Sequence, residues 1–209
     1  MNVESGLAAV RQRIEAAGVD PDQVRIIAMT KGFGPEAVAA ALGAGHTDLG
    51  ENYAQELLTK LVDGVTWHFL GPIQRNKVGT LAPHVALWQA VDRPAAGTEI
   101  ARRSPGAAVL VQLNVVGDPE RPGVDPTDAP VLVRFLRDLG LDVQGLMAVA
   151  AVEPDRAREG FRTVRRVADD LGLPVRSMGM TDDLETAVAE GSTMVRVGRA
   201  LFGPRPGRP

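Results

Sequence analysis

The chain has 209 residues, no cysteine, three histidines and a formal net charge of −3. Lack of cysteine excludes disulfides, thiolate catalysis and cysteine metal sites together, and the mild acidity gives no general pull toward nucleic acid or anionic membrane. His46, His68 and His84 lack metal-site spacing, no apolar run is long enough to span a membrane, and Met1-Asn2-Val3-Glu4-Ser5 carries no signal pattern, so a soluble cytoplasmic protein is expected.

Val3, Leu7, Val10, Ile14 and Ala17 recur at helical spacing, and Gly18 with Pro21 supplies a stop, which predicts an opening helix. The Val/Ile-rich run that begins at Val24 reads as a strand buried on both faces, with Lys31 where it leaves the core. A helix over 35–42 follows, then a short strand over 46–49, the loop Gly50-Glu51-Asn52, a helix over 53–62 and a strand over 66–70. Gly71-Pro72-Ile73-Gln74-Arg75-Asn76-Lys77 leads into a helix to Leu81, ahead of a strand around 85–88 and a helix over 94–102. Ala107 to Val115 is the clearest buried strand, and the polar, proline-rich stretch 117–126 after it reads as a mobile loop. Helices over 128–138, 154–171 and 182–189 alternate with strands over 142–148, 174–177 and 194–197.

Eight strands alternating with helices predict an α/β fold, a single (β/α)8 TIM-type barrel with an extra N-terminal helix, occupying 1–209 as one domain. An open doubly wound sheet is the alternative. Informative loops follow strand after strand instead of clustering at one switch point, which favours the barrel. Phe202-Gly203-Pro204 and the residues after them cannot extend a helix or a central strand, and a frayed tail over 204–209 is expected.

In a barrel, binding groups come from the C-terminal ends of the strands, here Lys31, Asn52, His68, Gly71, Asn114, Met147, Gly179, Met180, Thr181, Arg196 and Gly198. Lys31 admits two readings: an amine desolvated enough to attack an aldehyde, or a strand-end lysine whose ammonium reaches water. Thr181 is either an ordinary helix cap or, with the glycine-opened turn at Gly198-Arg199, one half of a phosphate cup. Arg196 ends a buried strand and cannot shed its charge, so it needs partners: a ligand, or an ion pair with Glu51, Asp182 or Asp183. His68, beside Trp67 and Phe69, reads as a satisfied core-edge histidine, and Gln74, Asn76 and Lys77 as solvated helix positions.

The chain resembles the pyridoxal 5'-phosphate homeostasis proteins, relatives of the barrel half of alanine racemase. The resemblance rests on Ala28-Met29-Thr30-Lys31, Leu49-Gly50-Glu51-Asn52-Tyr53-Ala54-Gln55-Glu56, the run from Trp67 to Lys77, Val111-Gln112-Leu113-Asn114, Gly145-Leu146-Met147, Ser177-Met178-Gly179-Met180-Thr181 and the run from Val195 to Gly203, in family order. It implies pyridoxal 5'-phosphate as cofactor, held by Lys31 as a Schiff base. It further implies that Thr181 and the amides of Gly198 and Arg199 take the phosphate, that Arg196 faces the pyridine nitrogen, and that Asn52, Met147 and Met180 line the surroundings. Thr181 stands where serine is usual, Pro72 where histidine is commoner, Arg121-Pro122-Gly123 replaces a lysine-containing loop and Ala150-Ala151 a proline pair. These departures bear on loops and partner contacts more than on the lysine chemistry.

The implied role is to bind pyridoxal phosphate in vitamin B6 and amino-acid homeostasis and to buffer or deliver it to client enzymes, as a monomer and without catalysis. A cationic Arg196 disfavours protonation of the ring nitrogen and so the electron-sink chemistry of carbanions. A weak or specialised amino-acid racemase is the alternative, and it needs a second proton donor, for which Tyr53 is the sole tyrosine. An interaction module that has lost the cofactor is the third reading.

Overall fold

Residues 2–204 are described in the computed structural model. Eight strands, β1 (Arg25–Met29), β2 (Asp48–Glu51), β3 (Thr66–Phe69), β4 (Val85–Val91), β5 (Ala108–Leu113), β6 (Asp142–Ala148), β7 (Val175–Ser177) and β8 (Met194–Val197), pair in parallel in sequence order. β8 returns to β1, with Arg25 opposite Met194 and Ala28 opposite Val197, so the sheet closes as a (β/α)8 barrel. The crossovers are α2 (Pro35–Gly43), α3 (Ala54–Thr59), α4 (Arg75–Leu81), α5 (Pro94–Arg103), α6 (Ala129–Asp138), α7 (Pro154–Asp170) and α8 (Leu184–Ala189). The extra helix α1 (Val3–Ala16) precedes the barrel, and the four-residue α9 (Arg199–Phe202) follows it.

Local chemistry explains these boundaries. Pro35, Pro94 and Pro154 each occupy the first turn of a helix, where a missing N–H costs nothing. α7 buries Ala157, Gly160, Phe161, Val164, Val167 and Ala168, a stripe at three- and four-residue spacing that faces the sheet. Outward-facing strand residues such as Leu49, Trp88, Val109 and Val195 join the helices in one apolar core. A second, smaller core of Ile27, Met29, Leu70, Leu87, Leu110, Met147 and Met194 fills the barrel interior. That interior also holds the buried polar residues His68, Gln89, Ser177 and Arg196.

Several elements differ from the sequence-based expectation. Gly50 and Glu51 belong to β2 and not to the loop after it. A Cβ on Gly50 would meet Met29 Sδ at 2.5 Å and Ile27 at 2.9 Å, so glycine is what lets this strand face a full interior. α3 is shorter than its apolar pattern suggests and stops before Lys60, whose buried ammonium turns inward. β4 runs three residues further, to Val91. The 117–126 loop is tied back to β5: Asn114 N donates to Val124 O at 2.9 Å, Val124 N to Gln112 O at 2.8 Å, and Asn114 Nδ2 to Asp118 O at 2.8 Å. Phe202 is buried as the last residue of α9, with its ring 5.3 Å from that of Phe33, where the sequence was expected to allow no helix. Of the tail expected to fray, 205–209 lies outside the described residues.

Candidate functional site

Lys31 occupies the turn after β1, half-buried, and its neighbours are held by charge. Beneath it, Lys60 Nζ lies 2.6 Å from Glu51 Oε1, with both side chains almost fully buried. Thr30 Oγ1 donates to the same oxygen at 2.7 Å, and Asn52 N to Glu51 Oε2 at 3.2 Å. Lys60 Nζ also donates to Thr30 O at 2.9 Å and to Glu56 Oε2 at 3.1 Å, while Gly32 N donates to Glu56 Oε2 at 2.8 Å. Burial pushes the Glu51 carboxyl up, with the Glu56 charge adding to the push and the Lys60 ammonium and Thr30 hydroxyl opposing it. The residues on both sides of Lys31 are therefore fixed by one buried ion-pair cluster, which also fixes the backbone of Asn52.

The opposite wall is built differently. Arg196, in β8, donates through Nη1 to Ser177 O at 2.6 Å and Ser177 Oγ at 2.9 Å, and through Nη2 to Ala148 O at 2.8 Å. All three acceptors are neutral. The ion pair with Glu51, Asp182 or Asp183 does not form: Glu51 holds Lys60, Asp182 pairs with Arg199, and Asp183 Oδ1 accepts from Met180 N at 2.6 Å. Burial draws the guanidinium down to about 10, so it stays cationic at neutral pH. The N–H groups on Nε and the second position of Nη2 make no hydrogen bond among the described residues.

Thr181 does not cap α8. It lies in the turn ahead of that helix, whose N-cap residue is Asp183, and its carbonyl accepts from Arg13 Nη2 of α1 at 2.8 Å. Arg13 is anchored in turn by Glu185, at 2.6 Å through Nε. Gly198 is the N-cap residue of α9 and accepts from the amides of Leu201 and Phe202, both at 2.9 Å. The first amides of that helix have no acceptor within it. Gly6 of α1 approaches α9 so closely that a Cβ there would lie 2.8 Å from Ala200 O.

These walls enclose a cavity of about 170 Å³ at the C-terminal mouth of the barrel. Lys31, Asn52, Met147, Met180, Thr181, Arg196, Gly198 and Arg199 all line it, drawn from the ends of five strands. Met29, Leu70 and Val149, which sequence reasoning did not single out as site residues, complete the lining together with Asp182, expected only as a partner for Arg196. His68 lies deeper in the barrel, Gly71 packs on the Asn52 carbonyl, Gly179 packs against Ala187, and Asn114 holds the 117–126 loop. Tyr53 lines a neighbouring cavity with Gln74 and Lys77.

A family model described as alanine racemase, N-terminal domain, matches residues 6–206. The chain is 39% identical to the pyridoxal phosphate homeostasis protein of Pseudomonas aeruginosa over 98% of its own length and 94% of the relative's. To that of Deinococcus radiodurans it is 40% identical, over 97% and 100%. The chain belongs to the pyridoxal phosphate homeostasis protein family. PipY of Synechococcus elongatus, solved with PLP bound, superposes with a TM-score of 0.82 at 29% identity, over 93% of this chain and 100% of that one.

As a member of the pyridoxal phosphate homeostasis protein family, the chain carries two features at this mouth that its sequence hides. Lys60 reads as the polar end of a helix, yet it is 4% exposed. Its spacing of four from Glu56 is the local signal. Asp182 reads as part of a helix start and instead pairs across the cavity rim with Arg199.

Proposed function

We propose that this protein binds pyridoxal 5'-phosphate in the Lys31 cavity and acts in vitamin B6 and amino-acid homeostasis as a carrier that buffers the cofactor and passes it to client enzymes or free amines. The observation that carries the reading is the meeting in one cavity of a single lysine, an arginine seated on neutral oxygens, and a threonine beside a glycine-opened helix start. The donor set fits the group. Asn52 Oδ1 is buried without a partner and calls for a donor such as a ring hydroxyl, while Arg196 retains two N–H groups suited to an acceptor nitrogen. Bound pyridoxal phosphate supplies an aldehyde that condenses reversibly with primary amines.

Lys31 provides the amine, Thr181 with the amides of Gly198 and Arg199 receives the phosphate, and Met147 and Met180 flank the ring. A cation at Arg196 discourages a proton on the ring nitrogen, which removes the driving force for carbanion chemistry. Tyr53, 54% exposed and in the neighbouring cavity, is badly placed to serve as a second acid or base opposite Lys31. Retention and release, without turnover, follow from that arrangement.

The test is absorbance and trapping. Loaded protein is expected to absorb near roughly 420 nm, the band of a lysine-linked pyridoxal ring. Borohydride should fix the label on the peptide that contains Lys31, and Lys31→Ala should abolish both signals. Label on another peptide would remove Lys31 from its role. Exchange of an amino acid's α-proton with deuterium, well above the rate with free cofactor, would replace the carrier with an enzyme.

A further inference from the structure

A column of buried polar side chains crosses the barrel interior from its lower rim to Arg196. At the rim, Arg25 Nε donates to Asp48 Oδ2 at 3.0 Å. Asp48 Oδ1 lies 3.2 Å from His68 Nε2, His68 Nδ1 lies 2.9 Å from Gln89 Nε2, and Ser177 Oγ donates to Gln89 Oε1 at 2.7 Å. Arg196 Nη1 closes the column at 2.9 Å from Ser177 Oγ. His68, Gln89 and Ser177 are completely buried and Arg196 is 5% exposed.

The direction of every bond is forced by the two ends. Asp48 is held ionised: burial alone would push its carboxyl up, but hydrogen bonds from His68 and Arg25 carry it down to about 2. A carboxylate only accepts, so His68 must carry its proton on Nε2. Burial pushes the His68 imidazole down, which keeps it neutral and leaves Nδ1 as an acceptor. Only the amide nitrogen of Gln89 can face that acceptor, and its second hydrogen points to Met194 Sδ at 3.3 Å. Gln89 Oε1 is thereby turned to Ser177, whose hydroxyl hydrogen is committed to it. The Ser177 lone pairs then face Arg196, which only donates. The result is one unbroken donor-to-acceptor series from Arg196 through Ser177, Gln89 and His68 to Asp48, in which each link polarises the next.

We propose that Gln89, with His68 behind it, is a positioning residue for Arg196: the one-way series aims a Ser177 lone pair at the guanidinium and so seats it for the ligand in the Lys31 cavity. Its ligand arm rests on the cofactor assignment made above. Gln89 does not line the cavity and acts through Ser177. Flipping its amide would set an oxygen against His68 Nδ1 and against the methionine sulfur, and would leave the Ser177 hydroxyl without its acceptor.

The test has a cofactor-free arm and a loaded arm. Nitrogen NMR of the cofactor-free wild type should show His68 as the neutral, Nε2-protonated tautomer between pH 6.5 and 8, taken as roughly the range in which an imidazole of ordinary pKa loses its charge. A proton on Nδ1 would overturn the proposal whether or not the protein binds pyridoxal phosphate. In the loaded arm, Gln89→Met keeps the length of the side chain and removes both links. Borohydride trapping on Lys31 should remain at wild-type extent, while dissociation of pyridoxal phosphate rises roughly tenfold. The same substitution in an Arg196→Lys background should add nothing, because its effect runs through the guanidinium. Additive losses in the double variant, or unchanged dissociation in Gln89→Met, would overturn it. If Gln89→Met fails to fold, Ser177→Ala breaks the same series one link later and carries the same expectation.

Discussion

The two walls of the cavity hold their functional side chains by opposite means. On the Lys31 side a buried ammonium and two carboxylates, Lys60, Glu51 and Glu56, fix the backbone around the lysine. On the Arg196 side the guanidinium is hydrogen-bonded to carbonyl and hydroxyl oxygens alone, and the Asp183 carboxylate acts on it only through its charge. The first arrangement engages its one ammonium with both carboxyl groups inside the wall. The second leaves a positive charge with no ion-pair partner in contact at the floor of the site, the condition under which an electron-rich partner is attracted.

The largest expected effect breaks the first wall. Lys60→Met leaves Glu51 buried without its counter-ion and should cost about 3–5 kcal/mol in denaturant unfolding. Adding Glu51→Gln should restore most of that loss, since the penalty belongs to the unpaired charge. A double variant as unstable as the single one would show that the pair contributes packing instead. Arg196→Lys, on the second wall, keeps the charge but cannot span three acceptors. It should lose about 1–2 kcal/mol of stability, with a larger loss in cofactor retention measured by dialysis. Retention equal to wild type would erase the distinction between the walls.

Acidity separates the regions less sharply. Burial lowers the pKa of His68 and His46 in the folded chain, so the unfolded chain binds more protons below the ordinary histidine value of 6.5. Melting temperature should hold above that pH and fall as pH drops through the lowered folded values. His46→Gln should keep only the share of the slope that comes from His68. Asp48, held at about 2 against an ordinary 3.8, adds a second loss that is absent above 3.8 and grows as pH falls toward 2. The smallest effect concerns the rim. Asp182→Asn removes the carboxylate that engages Arg199, a surface pair worth about 0.2–1 kcal/mol, and should slow cofactor dissociation by at most about fivefold without moving the melting temperature.

The sequence makes the barrel and its lysine legible for one reason: strands buried on both faces are continuous apolar runs, and an ionisable residue at the end of such a run stands out. Lys31 and Arg196 stand out in that way, and the Ser177 to Thr181 turn stands out as the junction of a strand and a helix. The helix cap expected at Thr181 fails because Asp183 takes the N-cap position two residues later. The Glu51 loop fails because glycine and glutamate are weak strand formers, and only the crowd of Met29, Ile27 and Leu70 around Gly50 shows why they belong in β2. Lys60 and Gln89 stay hidden in the sequence: one is a polar residue after an apolar helix and the other a polar residue inside an apolar strand. Beyond Glu56, the partners of Lys60 lie 9 and 30 residues away, and those of Gln89 lie 21, 88 and 105 away.

Arg13 of the first helix grips the Thr181 carbonyl across 168 residues, and Gly6 lets that helix seat against α9. The turn at Thr181 is thus assembled from both extremes of the chain, over the seam where the last strand meets the first. Contacts of such span are the slowest to form, because loop-closure entropy precedes any reward. A ligand held there recognises only a molecule whose ring of strands has already shut, so its binding energy acts as a latch on that seam.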